Sequence, residues 1–311
     1  MTNNNQLEEA RKILTELIQA EPENPKYHDA LSTVFHLMER YEDALQEAQI
    51  AVRLEPDNPH YHDSLGATLH ELNRFDEALV EEQKAVELEP DNPLFHNSLG
   101  VTLHEMKRFD DALTEKKKAV ELDPDNPRHH DSLSTTLHEL NRFDQALAEA
   151  QKAVELEPDN PRYHNNLGAT LHEMKRFDGA LAEAQKAVEL EPDNPFFHDS
   201  LSATFHQLKR FDEALVEAQK AIELEPDNPR YHDSLSTTLH ELKHFGEALA
   251  ETQKALELEP NNPCYHDSLG ATLYALKRFD DALAEVKKAI ELDPANEEYR
   301  SHLDDILRAK Q

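Results

Sequence analysis

The chain has little of what several protein classes depend on. Its 311 residues include one cysteine, six glycines and no tryptophan, and 64 acidic side chains outnumber 32 basic ones, for a formal charge of −32. A chain this negative repels nucleic-acid phosphates and anionic membrane surfaces. No stretch approaches the roughly 18 consecutive apolar residues of a membrane span. We therefore expect a protein that binds neither nucleic acid nor membrane.

Signals for export are also missing from the N-terminal segment. It begins Met-Thr-Asn-Asn-Asn and has neither the basic region nor the apolar region of a signal peptide. The lone cysteine, Cys264, has no internal partner for a disulfide and is compatible with a reducing compartment. We therefore expect a cytoplasmic protein.

Proline, by contrast, is frequent and regular. All 17 prolines fall on two ladders with the same step of 34 residues, one running from Pro22 to Pro294 and the other from Pro25 to Pro263. A fixed period of this length indicates a repeat architecture.

Each period contains two helical patterns, as residues 59–92 illustrate. Asn58 is a good N-cap, and Pro59 suits the first helical position because its missing N–H has no intrahelical partner there. Apolar residues then recur at spacings of three and four along two segments, separated by a short polar break at residues 73–74. Pro90 blocks continuation of the second segment. The unit is predicted to be helix–turn–helix, and the chain all-α.

This unit resembles a tetratricopeptide repeat (TPR). The resemblance rests on the relative places of Leu65, Gly66, Phe75, Ala78, Ala85 and Pro90. It recurs in eight copies, at 25–58, 59–92, 93–126, 127–160, 161–194, 195–228, 229–262 and 263–296. The resemblance implies an all-α, right-handed superhelical α-solenoid of helix–turn–helix repeats. It also implies that the first helices line a concave binding surface.

Residues outside the eight copies look like half-repeats. Residues 1–24 contain one pattern of the second-helix type, and residues 297–311 one of the first-helix type. Head-to-tail stacking of chains would join them into one more repeat and would build a ring or filament. Polar residues at would-be contacts, such as Arg11 and Asp304, favour solvated caps instead. We expect two caps around the array 25–296.

The predicted binding face of the first helices carries two polar rows, to which the resemblance assigns partner binding. Residues spaced like Asp63 and His70, with Glu71 beside them, share one face of a helix. The acid row contains Asp29, Asp63, Asn97, Asp131, Asn165, Asp199, Asp233 and Asp267. The histidine row contains His36, His70, His104, His138, His172, His206 and His240, and ends in Tyr274. An acidic, histidine-lined groove of this kind suits a basic peptide. The other interpretation is that duplication copied solvated polar positions.

A neighbouring row varies freely between the copies. It contains Lys26, His60, Leu94, Arg128, Arg162, Phe196, Arg230 and Cys264. A partner that contacts this row meets a different side chain at every repeat. Some members of the family grip a peptide C-terminus with Lys, Asn and Arg, and these rows do not carry that set.

Catalytic and metal chemistry are not indicated. The 19 histidines follow the repeat period, and His62 and His70 are eight residues apart, too far along a helix to share a metal ion. The His-Asp-Ser sequence at 62–64 cannot act as a triad, because successive helical side chains diverge by about 100°. We expect no catalytic residues, no metal and no cofactor. We interpret the early histidines, such as His62, as structural and the run Lys116-Lys117-Lys118 as solvated helix surface.

The sequence thus predicts a non-catalytic scaffold or adaptor that binds a peptide segment of another protein. Two other functions stay open. The chain could assemble with itself into a homo-oligomeric scaffold, or it could be a docking and regulatory array for a separately encoded enzyme.

Overall fold

The computed structural model describes residues 2–310 and their side chains from residue 5 onward. It divides into two units, Met1–Glu157 and Pro158–Gln311. The described part of the first unit contains α1 (Thr2–Ala20), α2 (Pro25–Leu37), α3 (Tyr41–Leu54), α4 (Pro59–Glu71), α5 (Phe75–Leu88), α6 (Pro93–Glu105), α7 (Phe109–Leu122), α8 (Pro127–Glu139) and α9 (Phe143–Leu156). That of the second contains α10 (Pro161–Glu173), α11 (Phe177–Leu190), α12 (Pro195–Gln207), α13 (Phe211–Leu224), α14 (Pro229–Glu241), α15 (Phe245–Leu258), α16 (Pro263–Ala275), α17 (Phe279–Leu292) and α18 (Glu297–Ala309).

The predicted all-α, helix–turn–helix fold is confirmed. Eight helix pairs run from α2–α3 to α16–α17, and we call the members of each pair its first and second helix. Inside each unit a first helix packs against its own second helix, against the second helix before it and against the neighbouring first helices. The assignment of residues 1–24 and 297–311 as caps stays a prediction.

Each first helix starts as the sequence predicts. The backbone N–H of His60 donates to the side-chain oxygen of Asn58 at 3.1 Å, with Pro59 between them at the first helical position. The same asparagine cap precedes every other first helix and α18. The cap satisfies an N–H group that the helix leaves unpaired, so the start is fixed within a residue.

The turn inside each pair contains a residue in the left-handed region. Asn73 has φ 56°. The N–H of Asn73 donates to the His70 carbonyl at 2.8 Å, and that of Arg74 donates to the Leu69 carbonyl at 2.9 Å. Such a turn ends the first helix and satisfies its last carbonyls. The equivalent residues of the other seven pairs also have positive φ, and none of the eight is glycine: Glu39, Asn73, Lys107, Asn141, Lys175, Lys209, Lys243 and Lys277.

The core is a series of small clusters between successive helices. In one of them Leu65 and Leu69 of α4 pack with Leu45 and Ala48 of α3 and with Ala78 of α5. Ala78 is fully buried. Alanine at such positions lets the helix backbones approach closely, and each repeat buries its apolar stripe only by stacking on a neighbour.

The early histidine of every repeat is a structural bridge, as expected. His62 lies between two oxygens, with Nδ1 2.6 Å from Glu81 Oε2 on the second helix and Nε2 2.8 Å from the Pro56 carbonyl before the first helix. All eight repeats have this bridge, through His28, His62, His96, His130, His164, His198, His232 and His266. Each bridge therefore joins the two helices of a repeat to the segment that precedes them.

Candidate interaction surface

The acid row lies deeper than a solvated groove would place it. Its residues follow the first helices at one equivalent position, and all are buried or half-buried. Asp131, Asn165 and Asp199 are buried, while Asp29, Asp63, Asn97, Asp233 and Asp267 are half-buried.

Serines of neighbouring repeats hold several of these carboxylates. The hydroxyl of Ser98 donates to Asp63, and that of Ser268 donates to Asp233. Asp29 and Asp199 accept from serines in the same way. At the end of the row Asp267 takes a different partner, because Nδ1 of His302 on α18 lies 2.9 Å from both of its carboxyl oxygens. The acid row therefore links successive repeats.

Burial perturbs the titration of the acid row. It raises the pKa of Asp29, Asp63, Asp199 and Asp267 above the ordinary value for aspartate, although hydrogen bonds oppose the shift. It raises the pKa of Asp233 to about 6, helped by the charges of Asp199 and Asp267. One carboxyl oxygen of Asp233 is also buried without a hydrogen-bond partner. Burial therefore makes the charged form of these carboxyl groups less favourable, and a nearby cation would reduce this desolvation penalty.

The seven histidines of the histidine row are half-buried. His70 packs edge-on against Phe75, the first residue of α5, with ring centroids 5.2 Å apart. The row's other histidines pack in the same way on the first residue of their own second helix, which is tyrosine for His36 and phenylalanine for the rest. The last member of the row, Tyr274, is exposed and packs on Phe279. His104 reaches into the next repeat, with Nδ1 3.0 Å from the Thr136 hydroxyl. Burial lowers the pKa of His104 and His206, so both take up a proton at lower pH than free histidine.

The two rows meet in the cleft between neighbouring first helices. His240 of α14 and Asp267 of α16 line one cavity of about 180 Å³, together with Ser236, Thr237 and Ser268. The glutamate that follows the histidine is exposed on the same helices, as Glu71 and Glu139 show. The face of the first helices therefore combines exposed glutamates with partly covered aspartates and histidines.

One carboxylate of the row already holds a cation of the chain. Nη2 of Arg230, at the start of α14, lies 2.9 Å from Asp199 Oδ2 on α12. The same guanidinium lies 5.5 Å from the ring centroid of Phe196, which is 40% exposed. Arg230 and Phe196 both belong to the variable row, and nothing in the amino-acid sequence connected that row with the acid row.

Two buried charged residues were missed, and one prediction was wrong. Lys116 is 3% exposed and donates to the Ser132 carbonyl at 3.1 Å, so it does not belong to a solvated helix surface. Glu82, in the equivalent position of α5, is 2% exposed. Burial shifts the pKa of both groups to about 8, downward for Lys116 and upward for Glu82.

A pairing in the sequence could have revealed these two residues. Each packs onto a glycine sixteen residues earlier: a Cβ at Gly66 would stand 2.6 Å from Glu82 Cγ, and one at Gly100 would stand 2.6 Å from Lys116 Cγ. Repeats with serine at that position carry alanine or threonine opposite, as Ser202 with Ala218 and Ser236 with Thr252. Helix packing at this position is therefore close, with a large side chain placed opposite glycine in these two repeats.

Metal-binding clusters and membrane-spanning helices are both absent from the described residues, 2–310. This range contains no group of three or more His, Cys, Asp or Glu side chains placed to hold a metal ion. In the same range no helix has the length and apolar character needed to cross a membrane.

Helix pairs of this length, stacked through small residues, define a tandem helical-repeat protein. Four TPR family models match the chain: a TPR repeat at 66–107 and 136–175, and tetratricopeptide repeats at 161–194 and 263–296, at 3–59, and at 95–126 and 199–228. These ranges cover most of the chain, which belongs to the tetratricopeptide-repeat family. It is therefore a protein–protein interaction scaffold, of a fold that is generally non-catalytic and binds other proteins or peptides.

Solved structures share the fold at low sequence identity. A chain in the crystal structure of the APC/C hetero-tetramer Cut9–Hcn1 matches with a TM-score of 0.71 and 16% identity over 99% of this chain, which spans 60% of that one. A tetratricopeptide repeat protein from Parabacteroides merdae matches with a TM-score of 0.66 and 15% sequence identity, over 80% of this chain and 98% of its own. Pseudomonas aeruginosa pilF matches with a TM-score of 0.59 and 20% sequence identity, over 70% of this chain and 97% of its own. No curated protein sequence matches.

Proposed function

We propose that the chain is a non-catalytic, cytoplasmic adaptor whose first helices bind a basic segment of a partner protein. The observation that carries this proposal is the charge of that face. Exposed glutamates lie beside aspartates whose pKa is raised by burial. The variable row adds at most one basic side chain per repeat to balance these negative charges. A cation placed there relieves the desolvation of the carboxylates, whereas an anion adds to it.

The residues we assign to partner binding are the fourteen of the two rows in the last seven repeats. Their helices present Asp63 and His70, Asn97 and His104, Asp131 and His138, Asn165 and His172, Asp199 and His206, Asp233 and His240, and Asp267 and Tyr274. We propose that the exposed glutamates make the first electrostatic contact and that the deeper rows select the side chains of the partner. Residues 1–24 and 297–311 serve as caps in this proposal, with no nucleic-acid or membrane partner.

A charge-matched pair of variants tests the surface. Glu71→Gln with Glu105→Gln removes two charges from first helices, and Glu87→Gln with Glu121→Gln removes two from second helices of the same repeats. We expect the first pair to weaken binding of a labelled hexa-arginine peptide several-fold more than the second at about 0.15 M salt. Equal effects of the two pairs, or equal binding of a hexaglutamate peptide, would show that the first helices are not the binding face.

Self-assembly is the second candidate, and one observation favours it. α1 exposes Ile13 (50%) and Leu17 (37%), and α18 exposes Leu307 (42%), so each end of the chain has apolar side chains without cover. Light scattering over a concentration series distinguishes the candidates, because only self-assembly predicts that mass grows with concentration. A pull-down that returns one dominant enzyme would instead favour the docking array.

A further inference from the structure

Arg230 shows what occupies a carboxylate of the acid row. It is the second residue of α14, and its guanidinium reaches back to Asp199, the fifth residue of the preceding first helix, at 2.9 Å. The Asp199 side chain is 3% exposed, whereas the Arg230 side chain is 60% exposed. A cation can therefore approach this carboxylate from the outer surface and still pair with a buried oxygen.

In the next repeat, Asp233 stands at the position equivalent to Asp199, but no arginine stands at the position equivalent to Arg230. Asp233 is the fifth residue of α14, and the second residue of the next first helix is Cys264, which is exposed and lies 3.3 Å from the Tyr299 hydroxyl through its sulfur. A cysteine side chain cannot supply the guanidinium that Arg230 supplies to Asp199.

The charged surroundings of Asp233 leave its carboxylate short of positive charge. Ser268 donates a hydrogen bond to it, and the carboxylates of Asp199 and Asp267 act on it by repulsion. The negative charge of Asp233 also helps to raise the pKa of the Tyr265 phenol. Two neighbouring nitrogen donors are engaged with other carboxylates of the acid row, Arg230 with Asp199 and His302 with Asp267.

We propose that Asp233 is the receptor for an arginine side chain of the partner, which takes on Asp233 the place that Arg230 takes on Asp199. The proposal rests on the function proposed above and adds the residue that the site selects. Arginine suits it better than lysine, because a planar guanidinium pairs with a carboxylate through directed hydrogen bonds and loses less hydration than an ammonium group. Neighbouring Arg230 does not prevent this, since its own charge is paired.

Filling the site from within the chain is the direct test. In Cys264→Arg the chain supplies to Asp233 the side chain that Asp199 already has, and in Asp233→Asn the receptor loses its charge. Both variants are expected to fold, because arginine stands at the equivalent position 230 and asparagine at the equivalent positions 97 and 165. We expect each to weaken binding of labelled hexa-arginine by about tenfold or more, as loss of a charged hydrogen bond predicts.

Matched controls separate the site from general electrostatics. Val216→Arg adds the same charge at a residue 61% exposed on α13, and Asp227→Asn removes the same charge from an exposed loop. Cys264→Ser removes the thiol without adding charge. We expect all three to stay within about threefold of the unmodified protein, as screened surface charges predict. Arg230→Cys frees Asp199 and is expected to tighten binding.

The possible outcomes distinguish this inference from the proposed function. If hexa-arginine binds and the Cys264→Arg and Asp233→Asn variants match their controls, Asp233 is not the receptor and the basic-segment function stands. If hexalysine binds as tightly as hexa-arginine and both variants weaken it equally, the preference for arginine is wrong. If neither basic peptide binds the unmodified protein, the proposed function itself fails.

Discussion

Glu82 and Lys116 are individual residues whose burial sets a measurable property of the protein. Glu82 accepts from the Thr102 hydroxyl at 2.9 Å, and its second carboxyl oxygen is buried without a partner. Lys116 has one carbonyl acceptor, although a lysine ammonium has three donors. Each buried charge therefore opposes folding in the pH range where the group is ionised. That range lies above the pKa for Glu82 and below the pKa for Lys116.

Replacing Glu82 by glutamine should flatten part of the pH dependence of stability. The pKa of Glu82 is raised from 4.5 to about 8, so between these values the folded protein binds more protons than the unfolded chain and stability falls as pH rises. We expect Glu82→Gln to gain a few kcal/mol over the unmodified protein at pH 8.5, and much less at pH 4.5. Urea unfolding at the two pH values measures the difference. Glu87→Gln, at an exposed residue, is the control, and a gain independent of pH would contradict the burial of charge.

The left-handed turn residue offers a second change at this scale. Lys209 is exposed and has φ 57°, a conformation that costs a non-glycine residue about 1–2 kcal/mol. Glycine avoids this cost but loses more conformational entropy on folding, which offsets part of the gain. We expect Lys209→Gly to raise the free energy of unfolding by about 0.5–1 kcal/mol. Asn73→Gly should gain less, because asparagine tolerates this region. Chemical denaturation checks both, and a destabilised Lys209→Gly would show that the lysine side chain contributes more than its strain costs.

Within a helix pair, two residues sixteen apart pack closely on each other where the first and second helices meet. Gly270 and Val286 form this contact in α16 and α17, where a Cβ on Gly270 would stand 2.4 Å from Val286 Cγ2. Val286 is fully buried and β-branched, so it cannot rotate away freely. The size of one residue therefore sets the size that the other can have.

A double-mutant cycle tests this coupling. We expect Gly270→Ala to destabilise by about 1–3 kcal/mol through overpacking, and Val286→Ala to destabilise by removing a buried side chain. The double variant, which resembles the Ser202–Ala218 pair, should lose less than the sum of the two. Gly246→Ala is the control because a Cβ at Gly246 would have nothing within 4 Å, and it should gain a few tenths of a kcal/mol. Strict additivity would mean that the two side chains do not limit each other.

At the scale of the whole molecule, the excess of acid is the dominant feature. Acids open the second helices, as Asp76 and Glu77 do in α5, and further acids follow the first helices. Favourable helix dipoles offset part of the repulsion, yet the formal charge of −32 opposes the compact state as a whole.

Added salt should therefore stabilise the protein at neutral pH. Screening weakens repulsion between like charges more than it weakens the buried hydrogen bonds, because the Debye length falls from about 30 Å at 0.01 M to about 8 Å at 0.15 M. We expect the thermal midpoint to rise over this range at pH 7 and to change little near the isoelectric point. A midpoint that falls with salt at pH 7 would show that exposed ion pairs such as Arg74–Glu77 outweigh the repulsion.

The family, the repeat count and the helix starts were all predictable from the amino-acid sequence. Local signals suffice for these features, since an asparagine cap followed by proline, as in Asn58-Pro59, defines a helix start wherever it occurs. The acid and histidine rows were also readable, because residues at one position of a repeat must follow one another along the stack.

The burial of each polar residue, in contrast, was not predictable before the packing of the helices was known. Lys116 and the exposed Lys117 are neighbours in the sequence, and the packing of Gly100 against Lys116 buries one and leaves the other at the surface. Likewise Asp199 and Asp233 occupy the same position in two repeats, and only Asp199 meets an arginine from the next helix. Burial and pairing depend on contacts between helices, which no single repeat contains.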